Sequence, residues 1–140
     1  MENTKKVPRG IRNNNPGNIR TSELIDWIGE VDPLKKKDPD FEEFRTMAYG
    51  VRAMMKLLLK YQKDYKLNTI NELVGKYAPR NENNTNAYIE RVCNSMQCSE
   101  NQIINLKEKN TMCNLVDAMI AVENSVHISM KTIEDGWNLM

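Results

Sequence analysis

The 140-residue chain reads as mainly α-helical with a small β-hairpin lobe in its N-terminal third. Three observations carry that reading. Apolar residues recur at helical spacing from Met47 onward, and capping signatures of the Ser/Thr-x-x-Glu/Gln type open several later segments. The stretch from Gly10 to Arg45 lacks the helical period and is rich in turn residues. The expected layout is one domain over 1–140, with a flexible lead over 1–7, a β-lobe with an Asn-rich loop over 10–45, and a helical lobe over 46–140.

Taken in order, Asn15-Pro16-Gly17-Asn18 predicts a tight turn, with Pro fixing φ at its second position and Gly free to take φ > 0 at its third. The runs Asn18–Arg20, Asp26–Ile28 and Phe41–Phe44 are the candidate strands, and Lys35–Asp40 is a solvated hairpin loop. Val51, Met54, Met55, Leu58 and Leu59 give a long amphipathic helix from about Met47 to Tyr65, against which Tyr49 and Arg52 are expected to pack the lobe. Thr69 and Glu72 form a capping-box pattern before a short helix that runs through Tyr77 and is stopped by Pro79. Thr85 is the expected N-cap of a helix through Met96, with Tyr88, Ile89, Val92 and Cys93 facing inward. Ser99 to Gln102 repeats the capping signature before another short helix. Thr111 opens a helix striped by Met112, Leu115, Val116, Met119 and Ile120, and a last short helix starts near Thr132 with Ile133 and Trp137.

Composition narrows the function. Twenty Lys and Arg against 19 Asp and Glu leave a net charge of +1 with no polybasic segment, which argues against nucleic-acid binding. No apolar run has the length of a transmembrane helix and the polar N-terminus is not a secretory signal, so synthesis in a cytoplasm without membrane insertion is expected. Cys93, Cys98 and Cys113 form an odd set without metal spacing and are expected as free thiols rather than as a zinc site with His127.

Two features carry chemistry. Asn13, Asn14 and Asn15 before the turn, and Asn18 closing it, line a loop with amides that donate and accept at once, as a sugar chain requires. On the Thr111 helix, position 123 continues the apolar stripe and holds Glu123. There, burial and the negative end of the helix dipole would both raise its pKa toward that of a general acid. Periodicity alone leaves open a second placement, with the helix ending near Val122 and Glu123 in solvent. Six acids lie in the lobe (Glu30, Asp32, Asp38, Asp40, Glu42 and Glu43), and strand alternation sends Glu42 and Glu43 to opposite faces.

Three blocks resemble a family of small phage- and prophage-encoded proteins with a lysozyme-like fold, virion structural proteins or cell-wall lytic enzymes. They are Arg9 to Ile19, then Phe44 through Tyr49-Gly50-Val51-Arg52 to Tyr61, then Tyr77-Ala78-Pro79 with Glu82-Asn83-Asn84-Thr85 and Tyr88-Ile89. A fourth match, Ala118 to Asn124, departs where the family pattern continues with Gly and this chain has Ser125. More distantly, the order of Asn14-Asn15, Trp27-Ile28-Gly29, a β-lobe and Glu123-Asn124-Ser125 is similar to that of flagellar- and autolysin-type N-acetylglucosaminidases cut at a different loop. Such a circular permutation is physically cheap at an exposed loop and would need the two termini to lie together.

The resemblance implies a monomeric, lysozyme-like enzyme cleaving peptidoglycan glycan strands, as a muramidase, an N-acetylglucosaminidase or a lytic transglycosylase. Glu123 would be the acid, and a lobe carboxylate (Asp32 or Asp40) or the substrate's own acetamido group would meet the developing oxocarbenium. Asn14, Asn15 and Asn18 would bind sugar groups, Trp27 or Tyr88 would offer a ring face, and neither metal nor organic cofactor is implied. Action at the cell wall or periplasm after delivery, or in the virion, follows from the same reading. The competing class is a non-catalytic virion or tail protein that keeps the fold for glycan binding or assembly with other virion proteins.

Overall fold

The structure is a computed structural model that describes residues 6–140, so most of the expected flexible lead (1–5) lies outside the described residues. The chain is mainly helical: α1 (Arg9–Arg12), α2 (Met47–Asp64), α3 (Ile70–Tyr77), α4 (Thr85–Met96), α5 (Lys109–Asn124) and α6 (Met130–Asn138). No helix among the described residues is long and apolar enough to cross a membrane.

The long helix forms as its period demands. Thr46 caps α2 by accepting from the Tyr49 N–H, and Val51, Met54, Met55 and Leu58 are fully buried along one stripe. Thr69 caps α3 through the Glu72 N–H, while the Glu72 carboxylate accepts from the Thr69 hydroxyl at 3.1 Å and the Asn68 N–H at 3.4 Å. On α5, Met112, Leu115, Val116, Met119 and Ile120 are buried where the stripe placed them. The core closes by α6 packing along α2, α4 on α5 and α3 on α4, with α1 and α6 both also against α5. Trp137 is half-buried against this core, and the Arg52 guanidinium donates to the Leu139 carbonyl at 3.2 Å, tying α2 to the last turn.

Three caps differ from expectation. Asn84, not Thr85, caps α4, accepting from the Ala87 N–H at 3.3 Å. Thr85 is buried one position inside, its hydroxyl donating to the Ala78 carbonyl at 2.5 Å. Glu108 precedes α5, which starts two residues before Thr111, and Ser129 caps α6 through the Thr132 N–H. Ser99 to Gln102 makes turns rather than a helix, because this segment lies alongside the entry to α3: Thr69 bridges Ile103, and the Ile104 N–H donates to the Asn68 carbonyl at 2.8 Å.

The expected β-hairpin lobe is not evident. Arg20 bridges Phe41 and Glu30 bridges Phe44, both antiparallel, but no extended strand forms. In the loop leading into Phe41, side chains take the backbone N–H groups. The Asp38 carboxylate accepts from the Asp40 and Phe41 N–H groups, and the Glu43 carboxylate from those of Lys37 and Asp38. Alternation still holds over Phe41–Phe44: Glu42 is 2% exposed beneath the segment and Glu43 faces outward.

Candidate functional site

A cleft of about 350 Å³ opens between the Pro16–Arg20 loop and the helical body, and Glu123 lines it together with Gly17, Asn18, Arg20, Tyr77 and Glu82. The sequence builds it from three directions. Helix α5 runs past Val122 to Asn124, so Glu123 sits on the stripe and not in a solvent-facing tail. The helix ends there because Ser125 takes left-handed φ +58°, the conformation that Gly adopts most cheaply. Helix α4 brings up Tyr88, whose hydroxyl donates to Glu123 Oε2 at 3.0 Å. Asn18 donates from Nδ2 to Glu123 Oε1 at 3.0 Å. Both carboxylate oxygens are therefore held, one by the loop and one by α4.

The loop that carries Asn18 is fixed from below. The Asn18 N–H donates to the Asn15 carbonyl at 3.0 Å, closing the expected turn, but Gly17 does not supply the positive φ. Asn14 and Asn18 do, at +52° and +50°. Gly17 serves instead for close approach: a Cβ there would strike the Tyr77 hydroxyl and Met54. Tyr77 donates to the Gly17 carbonyl at 2.5 Å, and Asn124 donates to the Pro16 carbonyl at 2.8 Å. Gly50 of α2 leaves room for the Asn14 carbonyl and Pro16 to rest on the helix.

Burial pushes the Glu123 carboxyl above its ordinary range, and the hydrogen bonds from Asn18 and Tyr88 pull part of the way back. The phenols of Tyr77 and Tyr88 are raised well above theirs, by burial first and by the Glu123 charge second. The cleft thus offers a carboxyl whose protonated form burial favours over that of an exposed glutamate, with donors fixing its orientation. That is the equipment of a general acid.

Of the residues expected at the site, the structure brings together Glu123, Asn18 and Tyr88. Asn15 is fully buried, and its amide is spent on the Ile19 and Glu42 carbonyls and the Ile19 N–H. Asn14 donates to the Phe44 carbonyl at 3.1 Å. Both hold the loop rather than offer groups to a ligand. Trp27 is half-buried away from the cleft lining, its backbone N–H donating to the Glu30 carboxylate at 2.8 Å. Asp32 and Asp40, the expected partner carboxylates, do not line the cleft either. Asp32 caps its own turn through the Leu34 N–H, and Asp40, 63% exposed, lies 3.4 Å from Arg9 beside the tight Arg9–Asp38 pair. The acid that does share the cleft with Glu123 is Glu82, from the loop between α3 and α4. Its only sequence signal was its place in the Tyr77–Thr85 block.

No metal site competes with this reading among the described residues, where no group of three His, Cys, Asp or Glu side chains is arranged to hold an ion. Cys93 and Cys98 lie within hydrogen-bonding reach of each other and both thiols are pushed up by burial, whereas His127 is exposed and 3.1 Å from Asp117.

No protein-family model matches the chain. The chain is similar to Protein P5 of Pseudoalteromonas phage PM2, with 38% identity over 121 residues, covering 85% of this chain and 72% of that protein.

Proposed function

We propose that this chain, which belongs to the family of Protein P5 of Pseudoalteromonas phage PM2, is a phage-type, lysozyme-like protein that cleaves the glycan strands of peptidoglycan with Glu123 as general acid. The observation that carries the proposal is the Glu123 carboxyl itself. It lines an open cleft, its pKa is raised by burial, and it is oriented by the Asn18 amide and the Tyr88 hydroxyl.

In this mechanism the protonated Glu123 delivers its proton to the glycosidic oxygen as the bond to the anomeric carbon breaks. The carboxylate left behind is steadied by the donors already bound to its two oxygens. The oxocarbenium is met either by a water held at Glu82, the other acid of the cleft, or by a group of the sugar itself. The first route is hydrolysis and gives ordinary reducing ends; the second gives an internally closed product lighter by one water when the sugar's own hydroxyl captures the cation. The permuted relationship to N-acetylglucosaminidases belongs to the same proposal, supported by α1 and α6 both packing against α5.

Glu123→Gln keeps the shape and removes the transferable proton, so lysis of purified cell walls should fall by a factor on the order of 10² or more while the fold is kept. Lysis at the parent rate would overturn the assignment, and mass spectra of the released muropeptides separate the two routes. A second reading, a virion protein that binds glycan without turnover, is favoured by kinship with a phage protein. Intact glycan despite measurable binding would select it.

A further inference from the structure

Away from Glu123 the same cleft is lined by two cations, Arg20 and Lys76, among the aromatic rings of Phe41, Tyr61 and Tyr77. Among the described residues neither cation is consumed by a close ion pair. The Lys76 ammonium lies 4.1 Å from the centre of the Tyr65 ring and 5.3 Å from that of Tyr61, contacts that hold it in place without neutralising it. The Arg20 guanidinium lies 5.2 Å over Phe41 and reaches Glu82 only at 4.0 Å, with both side chains at least half exposed. A chain of neutral sugars has no charge to offer two positioned cations. A glycan whose sugars bear acidic peptides does: a carboxylate displaced sideways from the scissile bond would meet Lys76 directly and would draw Arg20 from its loose partner into a charge-assisted pair.

We infer that the Lys76–Arg20 end of the cleft binds a carboxylate of the peptide stem carried by the glycan, so that the protein selects peptide-bearing strands over bare ones. This rests on the glycan reading of the Glu123 site and adds to it the chemistry that chooses the substrate. Arg20 and Lys76 are both exposed, so their removal leaves the core untouched, and Lys76→Met keeps the apolar stem against the two tyrosines while deleting the charge.

The test is equilibrium binding by the full chain carrying Glu123→Gln, which prevents turnover. The two ligands are soluble glycan strands with their stem peptides and the same strands stripped by an amidase, with the lactyl carboxylate that the hydrolysis exposes then capped as its methyl amide. Adding Lys76→Met or Arg20→Ala should weaken binding to peptide-bearing strands by about tenfold and leave binding to stripped strands within about twofold, as loss of one charge-assisted hydrogen bond predicts. Lys76→Arg should retain most of the affinity. Equal losses on both ligands, or no loss on either, overturn the inference while leaving the glycan reading standing. Failure of the Glu123→Gln chain to bind either ligand overturns the glycan reading and this inference with it.

Discussion

At the scale of single residues, Glu123 is tuned by opposing forces, and each can be changed alone. The Tyr88 hydroxyl favours the charged carboxylate, so Tyr88→Phe should raise the Glu123 pKa further. On the proposed mechanism Glu123 works protonated, so the alkaline limb of the pH–activity profile should move to higher pH. NMR titration of the Glu123 carboxyl reads the same shift without any substrate; a downward shift would contradict the geometry. Ser125 holds φ +58° where the resemblance expects Gly. Ser125→Gly should raise stability by about 1 kcal/mol in a thermal melt, by relieving a left-handed β-carbon. Glu123 was legible in the sequence because it continued a stripe of named apolar positions. The fates of the asparagines were not. Four short amides announce hydrogen bonding, but nothing in their spacing says that Asn15 turns inward to backbone while Asn18 turns to a carboxylate.

Among the elements, the Asn14–Asn18 loop is the one whose shape the site depends on. Asn15→Ala would orphan the buried Glu42 carbonyl and the Ile19 N–H, while the Ile19 carbonyl keeps the Glu42 N–H, at a cost on the order of 3 kcal/mol measured by chemical denaturation. Activity should fall with it, since Asn18 rides on the same turn. A loss below about 0.5 kcal/mol would show that water replaces the amide. The helices α2 to α6 are readable because burial enforces their period, and the starts of α2 and α3 fall where the pattern puts them; those of α4, α5 and α6 lie one to three residues earlier, at α4 because two capping residues, Asn84 and Thr85, stand side by side. The Ser99 signature misled because a capping pattern satisfies a turn as readily as a helix. The strands are misread because only isolated pairs of the runs meet, Arg20 with Phe41 and Glu30 with Phe44, while carboxylates tie up the loop that leads into Phe41, which a period-two pattern does not weigh.

Across the whole molecule, two carboxyls set the pH range of stability in opposite directions. The Glu30 pKa is raised to about 7 by burial, by Asp26 and by the nearby Glu42 charge. Its unfolded value is 4.5, so the folded state binds the extra proton between these limits, and stability should decline as pH rises from about 4.5 to about 7. Asp38 is held well below the usual carboxylate range by Arg9, so its contribution is present above its unfolded value of 3.8 and is lost on acidification below it. Melting temperature against pH should peak between these two limbs, and Glu30→Gln should flatten the neutral one. A profile unchanged by Glu30→Gln would exclude this origin. The hydrogen bond from Asn18 to Glu123 spans 105 positions of chain, and that from Asn124 to Pro16 spans 108. These separations give the site a date as well as a place. On a ribosome the loop emerges first and waits, at about 5–20 residues per second, for its acid to be made some seconds later. Until residues 123 and 124 have cleared the exit tunnel and docked, the nascent chain holds the loop but no carboxyl for it to orient.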